Sequence, residues 1–191
     1  GLANFLEANG GMALARIMEP GGLPLESARI EFGRGGRLRV DIGTQSSGQG
    51  HRASYAQVLA AHLSWDAHAI SVHQGRTDRL AHGTGTGGSK SLLSGSTALL
   101  EAADAVVAKA RAWVARAWGV PLDGVVWQGG ELSAGPRRAS LQSLSDQAAE
   151  SVTGDVPHPF SVEICTPVRA GTYGNGCHAC EVEVDPRTGV T

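Results

Sequence analysis

Two glycine-rich runs hold the residues of this chain whose types and spacing could do chemistry. The first, Gly-Thr-Gln-Ser-Ser-Gly-Gln-Gly-His, spans residues 43–51, and the second, Gly-Thr-Gly-Thr-Gly-Gly-Ser-Lys-Ser, spans residues 83–91. Each leads directly into a helical pattern, and a short strand pattern lies between them. The first turn of a helix leaves its N–H groups unpaired and carries a partial positive charge. Two such loops together predict a cradle for an anionic, hydrogen-bond-rich ligand.

Several chemistries fail on detail. A phosphate-cradling P-loop needs glycine, four residues, then Gly-Lys-Ser/Thr. Gly83 and Gly88 have that separation, but Ser89 intrudes before Lys90 and turns the lysine about 100° around the helix axis. A dinucleotide fingerprint needs a strand immediately before it and an acid about 20 residues later within a βαβ unit, and neither condition is met convincingly. Ser46, Ser47 and His51 hint at a nucleophile and base, yet no Gly-x-Ser-x-Gly elbow surrounds them. Cys177 and Cys180 have the spacing of half a zinc site, but the second pair is missing and strand alternation sends them to opposite faces. His51 and His82 flank the loops and could reach a ligand there. The remaining histidines, Trp113 and Trp118 read as packing or surface residues. Arg34, Arg37 and Arg39 on a hairpin, and Arg137 with Arg138 in a loop, read as solvated surface.

The elements that must position the loops follow from periodicity. Residues 1–9 read as a strand, and residues 12–18 as a short helix ended by Pro20, Gly21 and Gly22. Residues 28–32 and 38–42 alternate with period two around Arg34-Gly35-Gly36, which predicts a hairpin. Tyr55, Val58, Leu59 and Leu63 fall at helical spacing, and residues 69–73 alternate as a strand turned at 74–78. The longest helical pattern covers residues 89–118, with a stripe from Leu92 and Leu93 to Val114, and Gly119 and Pro121 stop it. A small hairpin turns at Gly129-Gly130, Ser140 caps a helix running to about residue 150, and residues 160–164 and 179–185 read as strands. Strands and helices mix without regular βαβ repetition, so the expected class is α+β, as a single domain over residues 1–191.

Taken together, the pieces are more specific than either loop. The first run, a helix, the turn Gln-Gly-Arg-Thr-Asp at 74–78 and the second run resemble the large, molybdopterin-binding subunit of the molybdenum hydroxylases. That family includes xanthine dehydrogenase, aldehyde oxidase and aerobic carbon monoxide dehydrogenase. The opening Gly-Leu-Ala-x-Phe-Leu-Glu strand and residues 173–189 agree, while residues 125–170 are least distinctive. The resemblance implies that the chain is an excised part of such a subunit. It also implies a molybdenum-molybdopterin cofactor, usually a cytosine dinucleotide in bacterial members. Gly48, Gln49 and Gly50 would contact the pterin, and Thr86, Gly87, Gly88, Ser89 and Ser91 would form the second cofactor loop. A glutamine suits that role because its amide offers both a donor and an acceptor to a heterocycle edge.

By the same resemblance, the full subunit hydroxylates an aldehyde, an N-heterocycle or a related small substrate. Iron–sulfur and FAD groups on partner subunits or domains would carry electrons away. The family's general-base glutamate has no matching motif here. No residue of this chain is therefore expected to be catalytic or to ligate metal, and the isolated chain is expected to be inactive. Arg76 stands where the family commonly has an aspartate, in a turn peripheral to the cofactor. The alternative is a non-catalytic scaffold or interaction module with a degenerate cofactor site.

Bulk properties bound these readings. With 41% hydrophobic and 18% charged residues, 191 residues can bury a core rather than remain disordered. A net charge of −2 gives no electrostatic reason to expect nucleic acid or a membrane surface as partner. No uninterrupted apolar run approaches the roughly 20 residues of a membrane span. Three cysteines and no visible secretory signal point to a reducing, cytoplasmic compartment.

Overall fold

The computed structural model describes residues 1–10, 25–152, 156–168 and 171–191; the helix expected over residues 12–18 lies outside them. The strands are β1 (Leu2–Asn9), β2 (Leu25–Phe32), β3 (Leu38–Ile42), β4 (Ile70–His73), β5 (Val126–Gln128), β6 (Glu131–Ala134), β7 (Arg137–Ser140), β8 (Val162–Pro167) and β9 (Thr172–Ala179). The helices are α1 (His51–Leu63), α2 (Ser91–Trp118) and α3 (Leu141–Glu150). The class is α+β.

At the centre, a four-stranded sheet of order β4-β3-β2-β8 is covered on one face by α1 and α2. β2 and β3 form the expected antiparallel hairpin, in register from Ala28↔Ile42 to Phe32↔Leu38. Period two puts Ala28, Ile30, Phe32, Leu38, Val40 and Ile42 on the face toward the helices, where all are buried. Arg29, Glu31, Arg39 and Asp41 alternate onto the opposite face. β3 pairs with β4 in parallel, and α1 makes the crossover, so β3, α1 and β4 form a βαβ unit.

α1 buries Tyr55, Ala56, Leu59 and Leu63 against α2 and the sheet. The stripe of α2 is built largely from small residues, with Ala98, Ala102, Ala103 and Ala110 fully buried beside Leu99, Val106 and Val114. Small side chains let the helix lie close to the sheet. Traced back, the stripe reaches Gly95, Ser94 and Ser91; Leu92, expected on it, falls off its phase and is exposed. By length and composition α2 could span a membrane, yet its apolar face is the interior of this domain.

β5, β6 and β7 form an antiparallel meander. Arg137 and Arg138 therefore stand on a strand rather than in a loop, and Arg137 Nη1 donates to the Trp118 carbonyl at 2.7 Å. That bond satisfies one of the carbonyls left open at the C-terminus of α2. Ser140 caps α3 as expected, its hydroxyl accepting from the Ser143 N–H at 3.1 Å. The last strand is displaced from its expected place. β9 occupies residues 172–179 and pairs with all of β1, from Leu2↔Ala179 to Asn9↔Thr172. Beyond Ala179 the β1 ladder is used up, so residues 180–185 alternate without being a strand. Alternation needs a hydrogen-bonding neighbour to become one.

Candidate functional site

The topology explains why the two glycine runs meet. β3 and β4 run in parallel with Asp41 opposite His73, so the loop entering α1 and the segment entering α2 leave the same end of neighbouring strands. The carboxyl end of parallel strands, with helix N-termini above it, is where open α/β sheets take their ligands. The loops then cross in backbone contact. Gly85 N–H donates to the Gly43 carbonyl at 3.2 Å, and a Cβ added at Gly43 would lie 2.7 Å from Gly83 Cα and 2.8 Å from the His82 carbonyl. Gln74 Nε2 donates to both the carbonyl and the hydroxyl of Thr44 at 2.9 Å, which joins the Gln-Gly turn to the first loop.

The residues singled out from the sequence divide into two kinds. Gly48, Gln49 and Gly50 are exposed at the tip of the first loop, with φ of 102° at Gly48 and 75° at Gly50, values glycine adopts without strain. Gln49 folds its Oε1 back to accept from the Ser47 N–H at 2.5 Å and from the Ser46 hydroxyl at 3.5 Å. Its acceptor therefore serves its own loop, and the Nε2 donor is what it offers outward. In the second loop Thr86 and Ser91 bind each other at 2.7 Å, and Thr86 bonds to the Gln45 backbone. These hydroxyls shape the crossing.

Gly87 and Gly88 carry the outward backbone of that loop. Among the described residues, the N–H groups of Gly48, Gln49, Gly50, Gly87 and Gly88 meet no protein acceptor. Ser89 holds a left-handed φ of 50°, uncommon for a residue with a Cβ. Two bonds from the β1 end fix it: Gly10 N–H donates to the Ser89 carbonyl at 3.2 Å, and the Ser89 hydroxyl donates to Glu7. His51 sits beneath the first turn of α1, only 6% exposed, with Nδ1 unpartnered. His82 is exposed.

Tyr55 is the post under the crossing. Its hydroxyl donates to the Ser91 carbonyl at 2.5 Å and lies 3.0 Å from the Thr44 hydroxyl, linking both loops. Burial, aided by the nearby Glu26 charge and opposed by the Thr44 hydrogen bond, pushes its pKa up to about 12. The phenol thus remains a donor at any physiological pH. Glu26 and Lys90, both buried under the loops, were missed as site residues. The signal was present, since the alternation of Ala28, Ile30 and Phe32 extends back to place a carboxylate at residue 26 on the core face.

On the other face of the sheet an ion-pair network holds the turn that leads to the second loop. Asp41, with a side chain 1% exposed, receives both Nε and Nη2 of Arg39 at 2.9 Å and Nη2 of Arg79 at 3.3 Å. Arg79 also pairs with Glu31, and Glu163 accepts from Arg29 and from the Ala81 N–H. Arg39 is thus a structural partner rather than solvated surface. Burial pushes the Asp41 carboxyl up, but the hydrogen bonds and charges of Arg39 and Arg79 outweigh it and hold the pKa below the usual value.

A depressed carboxylate contributes stability above its unfolded pKa and loses it as pH falls through the folded one. Arg79→Ala is expected to cost about 1–2 kcal/mol and to raise the folded pKa of Asp41. Urea unfolding followed against pH should show a smaller loss of stability in acid than in the wild type, because the folded and unfolded pKa values of Asp41 then lie closer together. Identical pH profiles would mean that Arg79 contributes nothing to Asp41.

Comparison with known proteins agrees with this architecture. The family model described as a molybdopterin cofactor-binding domain matches residues 3–191. The chain is 29% identical over 169 residues to the carbon monoxide dehydrogenase large chain of Afipia carboxidovorans, covering 86% of this chain and 21% of that protein. It is 28% identical over 170 residues to the nicotine 6-hydroxylase large subunit of Paenarthrobacter nicotinovorans, again covering 86% and 21%. Among solved structures, reconstituted CO dehydrogenase from Oligotropha carboxidovorans superposes with a TM-score of 0.75 at 26% identity, over 93% of this chain and 22% of that one. The Cu,Mo-CO dehydrogenase in its carbon monoxide reduced state gives 0.77 at 24% identity, over 93% and 23%. The chain thus spans about a fifth of the length of the curated relatives it matches. It belongs to the molybdopterin cofactor-binding domain family of the xanthine dehydrogenase-type molybdenum hydroxylases.

Proposed function

We propose that the crossing loops form one wall of a molybdopterin site in the large subunit of a molybdenum hydroxylase. The observation that carries this reading is the convergence of two positive-φ glycine loops, rich in unpaired N–H groups, at the carboxyl ends of adjacent parallel strands. Such a donor set suits an anionic, acceptor-rich cofactor. Gly48, Gln49 and Gly50 present backbone donors and the Gln49 amide to the pterin. Gly87, Gly88 and Ser89 present backbone to its phosphate end, and Thr86 and Ser91 fix that loop. The N-terminus of α2 behind the second loop favours that anionic end, and the reading takes the cofactor in its cytosine dinucleotide form.

The cleft between the Gln-Gly turn and the crossing holds only about 220 Å³, below the roughly 300–1,000 Å³ of small-molecule sites. The cofactor therefore lies across the loops, and the remainder of the subunit supplies its other wall together with the general-base glutamate. When bound, the cofactor supplies two-electron redox chemistry. The substrate is an aldehyde, an N-heterocycle or a related small molecule. Iron–sulfur and flavin partner subunits take the electrons, and the complex works in the cytoplasm.

Molybdenum and pterin content of the full-length protein, measured by mass spectrometry, tests this. Wild type should carry both near one per subunit. Gln49→Ala should weaken retention by about tenfold, the worth of one hydrogen bond of about 1.4 kcal/mol. Neither component in protein made where the cofactor is synthesised would sink the proposal and leave a scaffold module.

A further inference from the structure

Directly beneath the loop crossing lie two ionisable side chains that the cofactor reading does not use. Glu26 is fully buried on β2 and Lys90, the residue before α2, is 4% exposed. Glu26 Oε1 accepts from the Ser27 N–H at 3.2 Å, while Oε2 has no partner. That carboxylate fills the space a side chain at Gly43 would need, so it supports the first loop where the second crosses it. Lys90 closes the second loop, its carbonyl accepting the Ser94 N–H at 2.7 Å. One turn into α2 the buried Ser94 hydroxyl is also unpartnered.

The other elements around Glu26 offer little charge. β3 leads into Gly43, β8 sets buried Thr166 opposite Glu26 in register, and α1 contributes the Tyr55 hydroxyl. Lys90 is the charged group that acts on Glu26, and among the described residues the two form no direct ion pair.

We propose that Glu26 and Lys90 are a buried positioning pair for the cofactor loops, and that the charge of Glu26 sets how firmly the crossing is closed. Burying the carboxylate with Oε2 unpartnered and no ion pair in contact favours its neutral form. Burial raises the Glu26 pKa to about 7, against smaller lowering by the Ser27 hydrogen bond and the Lys90 charge. Burial also lowers that of Lys90, opposed by the Glu26 charge. With Glu26 neutral the crossing is closed. Ionised, the carboxylate needs water or a nearer ammonium, and either requires the loops to part. A raised pKa stabilises the closed form fully below the solvated value of 4.5, and that stabilisation is lost as pH rises through about 7.

This inference rests on the proposed cofactor role of the loops, but its first test does not. Hydrogen–deuterium exchange of the amides that the closed crossing engages, Gly85 N–H on the Gly43 carbonyl and Gln45 N–H on the Thr86 hydroxyl, is followed in cofactor-free full-length protein, corrected for intrinsic rates, from about pH 5 to about pH 8.5. Protection should fall by up to about tenfold per pH unit toward pH 7 and then level off. Glu26→Gln, which mimics the neutral acid, should hold the low-pH protection throughout. Lys90→Met, which removes the attraction favouring ionisation, should move the levelling to higher pH.

Wild-type protection independent of pH, or a slope that survives in Glu26→Gln, would overturn the proposal. Molybdenum and pterin retention of wild type and Glu26→Gln above pH 7 is the second readout, and the variant should retain more. A switching loop with unchanged retention would refute the link to cofactor binding and leave the switch standing.

Discussion

Gly43→Ala is expected to strip the cofactor from the protein and to destabilise the fold by about 1–3 kcal/mol. A Cβ there would sit 2.7 Å from Gly83 Cα and 2.8 Å from the His82 carbonyl, besides striking the Glu26 carboxylate. The first two obstacles are backbone, so no rotamer change relieves them. The loops must separate, which breaks the 3.2 Å bond from Gly85 N–H to the Gly43 carbonyl and splays the donors proposed to hold the cofactor. Molybdenum content should fall far more than for Gln49→Ala, because a displaced loop removes several contacts and the glutamine change removes one. Full molybdenum content in the alanine variant would show that the crossing tolerates separation, and that the cofactor is held elsewhere.

Gly95→Ala sets two opposing effects against each other. Inside a helix, alanine is favoured over glycine by about 1 kcal/mol. At this position, however, the added methyl would lie 2.7 Å from Tyr55 Cζ and 2.9 Å from Cε1. Overpacking costs about 1–3 kcal/mol, and moving the ring gives up the Tyr55 bonds to Ser91 and Thr44, worth about 1 kcal/mol each. The losses win, and a net destabilisation of about 2–4 kcal/mol is expected in chemical denaturation. In a Tyr55→Leu background the methyl meets a smaller side chain and no phenol hydrogen bonds remain to lose, so most of the penalty should disappear. A penalty unchanged by Tyr55→Leu would place the strain somewhere other than the ring.

Legibility in the sequence followed the range of the forces. The β2–β3 hairpin was readable because both strands alternate around a short turn. So was α2, because the periodic stripe of Leu99, Ala103, Val106, Ala110 and Val114 runs for many turns. The glycine runs were readable because Gly48, Gly50 and Gly88 need positive φ and because the loops resemble a known pair. What sequence did not reveal was which strands outside the hairpins become neighbours. The parallel pairing of β3 with β4 brings the loops together, yet nothing local in residues 38–42 or 70–73 encodes it. The same limit misplaced β9, whose position is set by β1 rather than by the alternation of residues 180–185. Residues with two natures were also hidden. Arg39 reads as surface until Asp41 is seen beside it, and Glu26 and Lys90 read as ordinary charges until the loops close over them.

The ribbon of β1 and β9 bears on how the site matures. Its pairs join positions 163 to 177 residues apart, from Asn9↔Thr172 to Leu2↔Ala179, and its side chains are mostly exposed. Closing so long a loop costs entropy that little apolar burial returns, so these strands zip after the sheet and helices have assembled. Glu7 and Gly10, which fix Ser89, travel with β1. The second glycine loop therefore takes its outer restraint from the pairing of longest sequence separation among the described residues, and it is expected to be the last part of the crossing to latch.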